Sequence, residues 1–242
     1  MTIVSVLTGE AQLPSRDSLE RTAREFLREP LTWRETSGAG LGVNIAGTAL
    51  SLRPIAGPVP NAEAETSAFL SLSSLKGWRL GKHTAHLALS LDHAARSASL
   101  AQLSHLTKFA ACVARATGAL GVHWGGGPVT HSTEFFTEVA READLPLPLW
   151  VGVSVTPEGG GRSALLSFGM TQRQLPELLL TAPDTELPDA LDFFFSALAT
   201  VAERGVAPED GERIPRSLFS RPKVSYGESP VEPGKRVWKV AL

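Results

Sequence analysis

The strongest constraint on the fold lies in residues 83–124, where a strand, a capped helix and a second strand follow one another. In His83–Leu91, HTAHLALSL, residues Ala85, Leu87, Leu89 and Leu91 fall on one face, and His86, Ala88, Ser90 and Asp92 on the other. That is the period-two pattern of a strand between two different environments. In Ser99–Thr117, residues Leu100, Leu103, Leu106, Ala110, Val113 and Thr117 make a stripe at helical spacing, and Gly118 follows where a left-handed residue closes a helix. Leu120–Trp124 then reads as a strand. A helix with one apolar stripe between two strands must bury that stripe against a sheet or further helices, which points to a layered mixed fold.

The flanking sequence extends the pattern. Ile3–Leu7 is a β-branched run that reads as a first strand. Ser15 is placed to cap a helix whose Leu19, Ala23, Phe26 and Leu27 share a face and which Pro30 stops. GLGVNIAGTALSLRPI reads as two strands turning near Ala46–Gly47. A proline-rich turn then leads into a short helix. Ser132 is expected to cap a helix to Ala143, with Phe135, Phe136, Val139 and Ala140 toward the core. LPLWVGVSVTPEGGGRSALLSFG reads as a long hairpin around Pro157–Gly161, and QLPELLLT as a strand that Pro176 confines to an edge or bulge. Leu187–Arg204 is an amphipathic helix closed by Gly205, and KRVWKVAL a final strand. The class expected is α+β, with mixed or antiparallel sheets, helices on one side, and two ferredoxin-like βαβ units fused in one compact domain. The domain expected is 1–242, with pseudo-halves 1–80 and 81–205 and an irregular tail, 206–242, that ends in a strand.

The bulk properties narrow the function classes. The 242 residues carry a net charge of −2, with 43% hydrophobic and 20% charged residues, ordinary values for a soluble globular protein. Arg213, Arg216, Arg221, Lys223, Lys235, Arg236 and Lys239 are spread among prolines and the acids Glu209, Asp210, Glu228 and Glu232. They make no dense basic patch, so no nucleic-acid partner is expected. The one cysteine, Cys112, excludes an internal disulfide and a cysteine metal cluster, and implies a reducing compartment. Neither a signal peptide nor a membrane span is expected, and the location expected is the cytoplasm.

The stretch with the most chemistry is GVHWGGGPVTHSTEFF, Gly121–Phe136. A phosphate cradle would use Gly125, Gly126 and Gly127 with the Ser132 helix start, but no Lys-Ser/Thr pair follows. An oxyanion hole of the His-Gly-Gly-Gly kind is interrupted by Trp124 and has no G-x-S-x-G partner. A metal site would need His123 and His131 with His83, His86 or His93, yet His83 and His86 would lie on opposite faces of a strand. Acid–base work by His123 or His131 would need a carboxylate, for which Glu134 and Glu138 are nearest. The bland alternative is a strand-to-helix turn in which the glycines supply the sharp entry, and it is the reading preferred. His123, His131 and Glu134 stand as the catalytic candidates, and Gly125, Gly126, Gly127 and Ser132 as the ligand-binding ones. No metal and no cofactor are expected. His105, between Gln102 and Lys108, reads as a solvated residue, and Trp150 as core.

IAGPVPNAE (Ile55–Glu63), GVHWGGGPVTHSTEFF and LPLPLWVGVSV followed by LLSFGM occur in an order that resembles an uncharacterised bacterial family, the domain of unknown function 4261. The resemblance runs from the first strand to the helix ending near Arg204. Its members commonly carry an aromatic residue at the position of His123, so the histidine is a departure, and no catalytic residue carries over. It implies a cytoplasmic accessory or interaction protein of bacteria. The expectation is therefore a non-enzymatic protein-binding or accessory protein, immunity- or adaptor-like, with a protein partner. The alternative is a small enzyme or anionic-ligand-binding domain built on the His123–His131 glycine loop.

Overall fold

A computed structural model describes residues 3–36, 38–92, 98–217 and 220–242. The fold is α+β with antiparallel and mixed sheets, and its contacts divide the chain into two units, Met1–Trp150 and Val151–Leu242.

The first unit is built on a seven-stranded sheet of order β2-β3-β4-β5-β1-β6-β7. Its strands are β1 (Ile3–Thr8), β2 (Thr32–Arg34), β3 (Leu41–Ile45), β4 (Thr48–Ile55), β5 (Ala85–Leu91), β6 (Gly121–Trp124) and β7 (Val129–His131). All neighbours are antiparallel. The β3–β4 turn forms at Ala46–Gly47, with φ of 47° and 84°, the left-handed pair that a two-residue hairpin needs. β4 and β5 pair with each other, so position 80 lies inside a segment whose flanking strands share one sheet.

The helices of this unit are α1 (Arg16–Phe26), α2 (Glu63–Thr66), α3 (Leu72–Leu75), α4 (Leu100–Thr117), α5 (Thr133–Glu142) and α6 (Leu147–Trp150). α4 is framed by a capping box between Ser99 and Gln102 and by Gly118 at φ 59°, so both ends are set by local chemistry. α1 packs on α4, where the Thr22 hydroxyl donates to the Cys112 carbonyl at 3.3 Å. Val4, Val6, Val122 and Trp124 are fully buried and share one face of the sheet by register. Trp124 stacks on Trp150 at 5.8 Å, and the Trp150 indole donates to Thr107 of α4. The opposite face holds Leu7, packed with Val59, Ala64 and Leu80.

In the second unit five strands run in the order β11-β12-β10-β9-β8. They are β8 (Gly152–Gly159), β9 (Arg162–Phe168), β10 (Leu178–Pro183), β11 (Ser225–Glu228) and β12 (Arg236–Ala241), with one long helix, α7 (Leu187–Arg204). β10 is parallel to β12, and the other pairs are antiparallel. Gly205, at φ 68°, closes α7.

Three expectations change here. Leu147–Trp150 is a helical turn rather than the start of the hairpin, which begins at Gly152. β10 is an interior strand, because Pro176 precedes it and supplies only a carbonyl, which accepts from the Trp238 indole. The segment after Val206 contributes two paired strands, and Trp238 in β12 is fully buried.

Candidate functional site

The glycine loop does not lead into a helix. Gly121–Trp124 and Val129–His131 pair as a hairpin, with His123 opposite Thr130 and Val122 opposite His131. The glycines therefore form a hairpin turn, and β7 stands between them and α5. The turn has a local cause. Gly125 donates its N–H to the Ile3 carbonyl, and a β-carbon there would lie 3.1 Å from that oxygen. Glycine is used because a neighbouring backbone passes close. Ser132 does cap α5, accepting from the Phe135 N–H, and its own N–H donates to Ser73.

The register also separates the histidines. His123 and His131 belong to facing strands, but His131 aligns with Val122 rather than His123, so the two side chains leave opposite faces of the hairpin. His131 is 0% exposed, with its ring 5.4 Å from Phe135 and 6.1 Å from Phe136. Its Nε2–H donates to the Leu149 carbonyl, so Nδ1 accepts the Ser71 hydroxyl at 2.7 Å. Burial pushes its pKa down to about 3. His123 is buried and its Nδ1 lies 2.9 Å from the Thr130 hydroxyl and 3.2 Å from that of Ser67. Burial, with His83 and His86 nearby, pushes its pKa down to about 4. Glu134 is exposed on α5. Among the described residues no carboxylate comes within salt-bridge distance of His123 or His131.

Strand alternation does not set the relation of His83 to His86, because β5 begins at Ala85 and does not reach His83. The Val59 N–H donates to His83 Nε2 at 3.0 Å, leaving Nδ1–H facing the Glu65 carboxylate at 3.3 Å without hydrogen-bond geometry. His86 Nδ1–H donates to the Gly57 carbonyl at 2.9 Å. His93 lies outside the described residues. Among those described, no cluster of histidine, cysteine or acidic side chains is arranged to hold a metal ion. His105 is not simply solvated: it is half-buried, its Nδ1 is 2.8 Å from the Thr48 hydroxyl, and burial lowers its pKa.

Taken together, four buried histidines hold one stretch of chain, two through its backbone and two through serine hydroxyls. His86 engages Gly57, His83 engages Val59, His123 engages Ser67 and His131 engages Ser71. The loop that looked catalytic is part of a clamp on residues 57–71.

What the clamp presents is a surface feature that the sequence reading passed over. A groove of about 480 Å³ is lined by Glu65, Ala68, Phe69, Ser74, Leu75, Trp78, Arg79 and Leu80. Phe69 is 65% exposed and Leu75 52%, and Trp78 and Leu80 are half-buried beside them. One available signal was that Phe69, Leu75 and Trp78 fit neither a helical stripe nor strand alternation. Another was that no acidic residue occurs between Glu65 and Asp92, while Lys76, Arg79 and Lys82 do.

Comparison with protein-family models, curated proteins and solved structures returns no match for this chain. No helix among the described residues is long and apolar enough to cross a membrane.

Proposed function

We propose that this chain is a non-enzymatic, cytoplasmic protein-binding or accessory protein of bacteria, immunity- or adaptor-like, and that it binds through the groove at Phe69, Leu75 and Trp78. The exposure of Phe69 and Leu75 around a concavity carries the reading. Bulky apolar side chains that rim a cleft together leave a large area to be removed from water by a partner. The clamp supports it, since four buried hydrogen-bonded histidines hold residues 57–71, which contribute Glu65, Ala68 and Phe69 to the groove, and reduce the ordering required on binding.

Photo-crosslinking in bacterial cells tests the proposal. A benzophenone amino acid at position 69 is expected to trap one protein in high yield, and the same group at exposed Glu158 of the second unit is not. Equal trapping from both positions, or none from position 69, overturns the reading.

A further inference from the structure

The groove has a charge as well as a shape. Arg79 lines it, and Lys76 and Lys82 follow the lining residues Leu75 and Leu80 closely in the sequence; all three are exposed, and no acid occurs between Thr66 and Leu91. This is a local departure for a chain whose net charge is −2. The acid among the lining residues, Glu65, faces the Nδ1–H of His83 at 3.3 Å. Arg79 is anchored by its own guanidinium, which donates to the Trp78 carbonyl at 2.7 Å and reaches the Ser74 carbonyl at 3.4 Å. Its charge is thereby held at the groove instead of sweeping through solvent, which strengthens its attraction for an anion.

We infer that the occupant of this groove is an acidic segment of a partner protein that inserts a bulky apolar side chain between Phe69, Leu75 and Trp78 and sets its carboxylates against Lys76, Arg79 and Lys82. The inference rests on the binding reading above and adds the chemistry of the partner. A concavity of about 480 Å³ suits inserted side chains, as in the groove-binding mode of amphipathic peptides. A bilayer would instead favour a long amphipathic helix with an apolar face, whereas Phe69 and Leu75 sit on helical turns of 3 and 4 residues. The apolar anchor supplies affinity, and the basic rim supplies orientation and a faster encounter.

Selection of random dodecapeptides displayed on phage, with the full chain as bait, tests this. The expected peptides combine Asp or Glu with Trp, Phe or Leu. Binding of a synthetic peptide of the enriched sequence should weaken at least about tenfold in the variant Phe69→Ser/Leu75→Ser, since hot-spot truncations of this kind have effects of that order. The variant Lys76→Glu/Arg79→Glu/Lys82→Glu should slow association about tenfold or more at low salt, because steering depends on those charges. All five positions are exposed, so unchanged urea unfolding of both variants is the expected control. Peptides without acidic bias that still require Phe69 and Leu75 would overturn the charge inference and leave the binding reading standing. Peptides that ignore Phe69 and Leu75 would overturn both. Groove-dependent binding to phosphatidylserine vesicles, or groove-dependent self-association in sedimentation, with no acidic peptide selected, would replace the inferred occupant with a membrane or a second copy.

Discussion

At the scale of single residues, this chain shows how a histidine with the appearance of a catalyst becomes a structural member. His131 has a serine at 2.7 Å, as an acid–base pair would. Yet its other nitrogen is committed to the Leu149 carbonyl, and no solvent reaches the ring. Replacing it removes two hydrogen-bond partners from a dry site and leaves a hole beside Phe135 and Phe136. His131→Ala is therefore expected to destabilise the first unit by roughly 2–4 kcal/mol, summing a cavity and an orphaned polar group. Glu134→Ala, at an exposed position in the first turn of α5, should change stability by less than about 1 kcal/mol through the helix dipole alone. Urea unfolding of the two variants checks the contrast; equal small effects would return His131 to the list of site residues. Cys112 belongs to the same scale. It is 0% exposed and burial pushes its thiol up to about 12, so a thiol reagent is expected to label it only after unfolding.

At the scale of elements, what could be read in the sequence was what local chemistry decides. Ser15, Gly118, Ser132 and Gly205 each cap the helix end expected of them, because a cap depends on residues within one turn. Ser99→Ala removes the hydroxyl that accepts from the Gln102 N–H, while the backbone N–H of residue 99 can still donate to the Gln102 side chain, and should cost about 1 kcal/mol, read as a lower unfolding midpoint. What could not be read was decided by partners far along the chain. β7 has three residues, too few for a period, and it exists because β6 pairs with it. Pro176 looked like an edge marker, but only the arrival of β12 beside β10 makes that strand interior. The histidine clamp was illegible for the same reason: His83 and His123 meet Val59 and Ser67 only once β5, β1 and β6 lie side by side. The groove was passed over because its residues sit on short helical turns with no repeating pattern.

At the scale of the whole molecule, the clamp divides the two units by their response to acid. All six histidines of the sequence lie in the first unit. His123 and His131 have folded pKa values of about 4 and about 3, below the ordinary value of 6.5. A group whose pKa is lowered on folding binds its proton more readily when unfolded. Its contribution to stability is complete above about pH 6.5 and is lost as the pH falls toward the folded values. Between those limits each of the two histidines removes about 1.4 kcal/mol of stability per pH unit. His83, also lowered by burial, acts in the same direction. The first unit should thus weaken steeply between about pH 6.5 and pH 4, while the second, with no histidine, has no such term. Hydrogen exchange near neutral pH and at about pH 5, corrected for the intrinsic rate, is expected to show protection falling first in residues 57–71 and in β6 and β7, with β9 and β10 retained. Replacing His123 by Gln should flatten that fall by up to about 1.4 kcal/mol per pH unit, since glutamine keeps a polar group facing Ser67 and Thr130 but does not titrate. Equal loss of protection in both sheets, or an unchanged slope in His123→Gln, would show that the clamp does not govern the acid response of the fold.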